Sequence, residues 1–235
     1  MEALARRRRR LRRRRIMRPL IVGLAIGLLV AAAFVRRWHR RPPARPAKPP
    51  PVGVLTAAVP ARPLAEIARA RGLATDPIRD ARLEVDKSEY ELRFLAGDVL
   101  LKRYPVALGP RQGDKQRRDD GCTPEGEFRI VERVVQSEPR RWRDVWMRLN
   151  YPLPEDAERG LAAGLIDREQ RDAIVAAGER REIPPRNTRL GSGIGIHIGG
   201  ITPRDWTEGC IALQTADGVE VAGQVRAGTR VVVRP

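Results

Sequence analysis

At 235 residues the chain is long enough for one ordinary domain plus extensions. Its net charge of +17 is unevenly placed: residues 1–48 hold sixteen Lys and Arg against Glu2 alone, and the remainder carries thirty basic and twenty-eight acidic residues. A nearly neutral body argues against a basic nucleic-acid-binding face, so no nucleic-acid partner is expected.

Residues 1–18 form an arginine-rich tail with ten arginines, among them Arg6 to Arg10 and Arg12 to Arg15. Pro19 to Val35 follows without a charge, rich in Leu, Ile, Val, Ala and Gly. As a helix it would span roughly 25 Å, near the short limit for crossing a bilayer. The excess of positive charge ahead of it predicts a single-pass inner-membrane anchor with the N-terminus cytoplasmic and the rest periplasmic. A cleaved signal peptide is the alternative, with Ala31-Ala32-Ala33 as a small-residue cleavage site, and Met17 is a second possible start. The arginine tract reads as a topogenic charge run with attraction to anionic lipid.

Residues 36–81 are expected to be a Pro-rich linker. Six prolines in the ten residues from Pro42 to Pro51 hold the chain extended, since proline fixes φ and cannot join a helix or a sheet ladder. Leu64 to Arg71 is a short helix of low stability at best. From Leu83 the period changes to two: Tyr90, Leu92 and Phe94 alternate with Glu89, Glu91 and Arg93, and a turn at Ala96-Gly97-Asp98 leads into Val99 to Leu108. That pattern predicts a hairpin. Another strand is expected around Phe128, Ile130 and Val134, and a last one over Thr229 to Val233. Between Pro154 and Gly178 the period is helical, with a capping box at Asp167 and Gln170 and helix stops at Gly164 and Gly178. Asp217 to Val225 predicts one more short helix. Residues 82–235 are thus read as a folded body, mainly β with a few short helices.

The chemistry concentrates in Ile194-Gly195-Ile196-His197-Ile198-Gly199-Gly200 and Asp205-Trp206-Thr207-Glu208-Gly209-Cys210-Ile211-Ala212-Leu213. One of two histidines and one of two cysteines lie thirteen positions apart, set among glycines between apolar runs. A free thiol has a pKa of about 8.5 and needs a base beside it to act as a nucleophile. The glycines allow tight turns and close backbone approach to a developing oxyanion. Cys/His acyl transfer is the hypothesis this supports. Each residue also has a blander reading, Cys210 as a buried apolar thiol and His197 as a core histidine with one satisfied hydrogen bond. The two segments are expected to lie side by side, joined by a tight loop. One imidazole nitrogen would face the sulfur and the other would donate to a backbone carbonyl, from Gly193 or Gly195. The amides of Gly209 and Cys210 are the candidate oxyanion donors. Cys122, His197 and Cys210 lack the close-spaced pairs of a structural zinc site, so no metal is expected. A permanent Cys122–Cys210 bridge would block the nucleophile and is not expected either.

The pattern resembles the YkuD-type L,D-transpeptidase family. His197 and Thr207-Glu208-Gly209-Cys210 fill the family's histidine strand and its Ser/Thr-x-Gly-Cys segment. Upstream, Asp86-Lys87-Ser88, Tyr104 to Gly109, Gly113-Asp114-Lys115, Thr123-Pro124-Glu125-Gly126 and Asn150-Tyr151-Pro152 follow in family order. The resemblance implies a β-sandwich, no cofactor, and peptidoglycan stem peptides as the partner. In that reaction Cys210 attacks a stem-peptide carbonyl and expels the terminal D-alanine, with His197 as base and Gly209 in the catalytic turn. Trp206, Thr207, Glu208 and Gly199 are the candidate substrate contacts, with Trp206 placed either under the loop or along the cleft. Two positions depart from the family: Glu208 stands where a second histidine is common, and Ala212 where an arginine often follows the Gly-Cys-aliphatic step. Because a carboxylate facing the sulfur would disfavour the thiolate, Glu208 is expected to point elsewhere, with an amine of the substrate as its candidate partner. Hydrolysis by the same site and a non-catalytic wall-binding module on a membrane tether remain as alternatives.

Overall fold

Alternation of apolar and polar residues builds most of this protein. In β1 (Ala81–Asp86) Leu83 and Val85 point inward, and in β2 (Glu91–Ala96) Leu92 and Phe94 do the same, all four fully buried. The computed structural model describes residues 62–75 and 77–235. The expected tail, anchor and most of the linker lie outside them. Among the described residues no helix is long and apolar enough to cross a membrane.

Eight strands form one hydrogen-bonded sheet in the order β3-β2-β1-β8-β4-β5-β6-β7. The remaining strands are β3 (Val99–Pro105), β4 (Gly126–Val135), β5 (Val145–Leu149), β6 (Gly195–Ile198), β7 (Ile211–Leu213) and β8 (Arg230–Arg234). The predicted hairpin is β2–β3, antiparallel. β1 lies parallel to β8, and β6 parallel to β7.

The mainly-β expectation holds, and the sandwich takes the form of a single sheet bent on itself. β4 is the bend. Its residues 126–129 pair with β8 and residues 130–135 pair with β5, with an irregularity between Ile130 and Glu132. A strand that changes partner through a bulge turns a corner without breaking the ladder. The two sheet edges then approach: Ala107, just past β3, exchanges backbone hydrogen bonds with Ala212 of β7 at 2.8–2.9 Å. The result is a nearly closed barrel.

Among the described residues, four short helices complete the fold. The first, α1 (Leu64–Ala70), buries Leu64 and Ala68 completely, so the end of the expected linker is part of the folded body. Its N-terminal amide donates to Glu220, which also accepts from Tyr104 at 2.8 Å and Lys102 at 2.6 Å. That tie between distant residues is not visible in local sequence. α2 (Pro154–Ala162) and α3 (Arg168–Arg180) stand between β5 and β6 with an apolar cluster of their own: Ala157, Ile166, Ile174 and Leu190. Gly164 ends α2 as expected, with φ +66° and Leu165 N–H reaching back to Gly160 O at 2.8 Å. The Asp167–Gln170 capping box opens α3. Gly178 is not its stop. The helix runs through it and ends at Arg181, which takes the left-handed conformation instead. The last helix, α4 (Thr215–Gln224), lies against the core face of β6, where Gly218 has no room for a Cβ beside Ile198. The main core sits between α4, α1 and the concave sheet, and it includes Ile194, Ile196, Ile198, Ile211 and Leu213.

Candidate active site

Placing those isoleucines in the core forces the alternate residues of β6 and β7 to the opposite face. These are Gly195, His197 and Ala212, with Cys210 immediately before β7. Ile196 pairs with Ile211 and His197 with Ala212, so the parallel ladder sets Cys210 beside Gly195. The Cys210 thiol donates to Gly193 O at 3.6 Å, and the Gly195 N–H points at the sulfur. His197 stands on the same face two residues further along the strand, about 6.6 Å of rise away.

His197 is 5 % exposed, and its Nδ1–H donates to Ile198 O at 2.7 Å. A carbonyl only accepts, so the proton sits on Nδ1 and Nε2 keeps its lone pair. The orienting carbonyl belongs to Ile198, not to Gly193 or Gly195. Those two glycines meet the sulfur instead, one through its carbonyl and the other through its amide. Burial lowers the His197 pKa below its ordinary value, opposed by the bond to Ile198, so the ring is neutral at neutral pH. Cys210 keeps partial exposure. Desolvation pushes its thiol up to about 11; the Gly195 N–H counters this, the Glu208 charge adds to it, and Lys115 and Arg148 offset part. The resting pair is therefore neutral thiol and neutral imidazole. Both cysteines are free thiols.

The turn before Cys210 is held from within. Thr207, expected at the substrate, is 4 % exposed. Its hydroxyl donates to Cys210 O at 2.7 Å and accepts the Gly209 N–H at 3.2 Å, and its amide donates to Leu108 O. It shapes the turn. The Gly209 amide is likewise consumed, whereas the Cys210 N–H donates to no acceptor among the described residues. Gly209 has φ +115°, and the Cys122 carbonyl oxygen occupies the space a Cβ would need. Asp120 fixes that approach by accepting from the Gln116, Arg117 and Cys122 amides and from Lys115 at 2.8 Å. Gly199 serves as packing surface, because a Cβ there would lie 2.9 Å from the Trp206 ring. Trp206 packs on the loop, donates to Gly200 O at 3.2 Å and stays 39 % exposed beside the imidazole. Glu208 is exposed and has no hydrogen bond or ion pair among the described residues, yet it lies near enough to raise the Cys210 pKa.

Several residues around the pair were not singled out from the sequence. Trp146 stacks on His197 with ring centres 6.0 Å apart and 24° between planes, and Trp142 approaches the same ring at 5.4 Å. Together with Trp206 they line the imidazole with three indoles. Arg148 lies over the Trp146 ring and donates through Nε to Glu132 at 2.6 Å. The legible signal was the alternation in β5: Val145, Met147 and Leu149 belong to the core, so Trp146 and Arg148 face the site.

Among solved structures, the chain is similar to the helical cell shape determining protein Pgp2 from Campylobacter jejuni, at 18 % identity and TM-score 0.44, covering 73 % of this chain and 53 % of that one. Bd1075 from Bdellovibrio bacteriovorus matches at 19 % identity and TM-score 0.41, covering 66 % and 48 %. An L,D-transpeptidase from Mycobacterium smegmatis matches at 13 % identity and TM-score 0.39, covering 66 % and 59 %. The chain thus spans about half the length of these proteins. No curated protein matches it. The family model of the YkuD L,D-transpeptidase catalytic domain matches residues 80–233, and the chain belongs to that family.

Proposed function

We propose that this protein is a cysteine acyltransferase acting on peptidoglycan stem peptides, an L,D-transpeptidase with Cys210 as nucleophile and His197 as base. The observation that carries the reading is the β6–β7 register, which puts a partly exposed thiol on the same face as a histidine two residues along, whose Nδ1 is tied to a carbonyl and whose Nε2 has no partner among the described residues. As the sulfur attacks the carbonyl of the third, diamino-acid residue, its proton passes to Nε2. The Cys210 N–H faces the negative oxygen that forms. Collapse breaks the C–N bond, and the departing D-alanine amine takes the proton from the imidazolium, leaving a thioester. An acceptor amine then gives its proton to His197 and its lone pair to the thioester, and the thiol is restored.

Among the described residues no carboxylate bonds the imidazole, so the surrounding indoles and the Ile198 carbonyl take the part of stabilising its charged form. Water in place of the amine would make the same site a hydrolase. The indoles packed around His197, which is 5 % exposed, favour the transfer reading, because apolar cover excludes water. We also assign Pro19–Val35 as the inner-membrane anchor, with the catalytic body periplasmic; cell fractionation with protease accessibility tests that assignment.

The deciding experiment incubates the full chain in detergent with tetrapeptide muropeptides and resolves products by mass. Cross-linked dimers and a mass adduct on Cys210 are expected, and Cys210→Ala should abolish both. Trimmed monomers alone would assign hydrolysis, and turnover surviving in Cys210→Ala would refute the nucleophile.

A further inference from the structure

Across the site-facing side of the sheet run two cross-strand rows. Val134, Trp146, His197 and Ala212 form one, and Glu132, Arg148 and Gly195 the other. The second row ends at the N–H that meets the sulfur. Arg148 is therefore separated from Cys210 by β6 alone, in register with the residue that touches the sulfur. Its Nη1 lies near Gly193, 3.9 Å from where a Cβ would stand, and Gly193 O receives the thiol proton.

The guanidinium is held in place. Nε is taken by Glu132, and the plane lies over the Trp146 indole at 5.4 Å. Its side chain is 14 % exposed. Nη1 and Nη2 have no hydrogen-bond partner among the described residues, and neither is a buried orphan. A fixed, solvent-facing Nη edge is suited to bidentate capture of a carboxylate. Of the two cations near enough to act on the thiol, Lys115 is 2 % exposed and paired with Asp120, so only Arg148 has donors to offer. Position 212, on the same face, is an alanine and supplies no charge.

We infer that Arg148 binds the free carboxylate that follows the scissile bond of the acyl donor, and so restricts the enzyme to donors ending one residue beyond the attacked carbonyl. The inference rests on the acyl-transfer reading above. The departing D-alanine carries its carboxylate on the carbon attached to the scissile nitrogen, which places it beside the nucleophile while the carbonyl is being attacked. A charge-assisted pair at this point aligns the carbonyl and gives the leaving group a place to sit.

The test compares two donors with the full chain in detergent: a tetrapeptide muropeptide ending in D-alanine, and the same compound ending in D-alaninamide. The wild-type chain should prefer the acid in kcat/KM by roughly 30- to 100-fold, the range for a lost hydrogen-bonded charge. Arg148→Met keeps an unbranched side chain over Trp146 and removes the charge. It should lose far more activity on the acid than on the amide and bring the two donors within a few-fold of each other. Arg148→Lys should retain part of the preference and serves as the fold-preserving control. Equal turnover of both donors by the wild-type chain, or a preference that survives Arg148→Met, overturns this inference alone. Turnover of neither donor by the folded wild-type chain takes the acyl-transfer reading down with it.

Discussion

A thiol whose pKa lies near 11 beside an imidazole that resists protonation behaves differently from a preformed thiolate–imidazolium pair. At neutral pH neither group is charged, so the sulfur becomes nucleophilic only as its proton leaves during attack. Two consequences follow for pH. Acyl transfer should fail at acid pH when His197 protonates, with a midpoint below the ordinary histidine value of 6.5 because burial lowers its pKa. Alkylation of Cys210 by iodoacetamide without substrate should keep rising well past pH 8.5, the midpoint of an ordinary free cysteine. Glu208 adjusts this balance. Its carboxylate raises the Cys210 pKa, so removing the charge must lower it. Glu208→Gln should therefore move the alkylation midpoint downward and speed alkylation at pH 8 a few-fold. An unchanged midpoint would mean that solvent screens the carboxylate completely.

The elements that carry this chemistry are two very short strands, β6 and β7, and their precision comes from what lies across them. Gly195 shows how tight the fit is. A Cβ there would stand 2.6–2.8 Å from the Trp146 ring and from Met147 O, closer than real Cβ contacts allow. Gly195→Ala should push Trp146 off His197 and Arg148 off its row. Overpacking of that kind costs about 1–3 kcal/mol, and a displacement near 1 Å at the reacting groups costs about 100-fold in rate. A folded Gly195→Ala protein with near wild-type turnover would show that the indole stack is dispensable. The same strands show how far sequence reading reaches. Apolar–glycine alternation around His197 and the Gly-Cys turn sufficed to put the two segments side by side, because a strand's period fixes its faces. It could not supply Trp142, Trp146 or Arg148, which reach the site from β5 and the segment before it. Their pairing with β6 depends on strand order, a nonlocal property. Nor could it show that Thr207 is buried and bonded within the turn, since an exposed hydroxyl and a buried turn-former have the same local pattern.

At the level of the whole molecule, charge is what separates the parts. The N-terminal segment carries nearly all the excess, and the folded body balances itself through placed ion pairs, the most buried being Lys115–Asp120 at 3 % and 11 % side-chain exposure. This pair lies in the long connection between β3 and β4 that brings Cys122 against the nucleophile turn, so it holds the barrel's closing region together. Burial alone would raise the Asp120 pKa, but Lys115 and three backbone amides outweigh it and hold the carboxyl at about 2. Its unfolded value is 3.8, so the folded state favours the ionised form. The resulting stability is fully present above about pH 4 and is lost as pH falls through about 2. Asp156 and Asp217, whose pKa values burial raises, work in the opposite direction, so the contribution of Asp120 must be read from a variant. Asp120→Asn leaves Lys115 buried without a counter-charge, which costs about 3 kcal/mol. For a body of this size that is a fall in Tm of roughly 6–12 °C at pH 7. The difference from wild type should narrow steadily in thermal melts taken from pH 4 down to pH 2, because acid removes from the wild-type protein the same charge that the substitution removed. A gap that stays constant over that range would mean that Asp120 acts through its hydrogen bonds alone and that Lys115 does not need its charge.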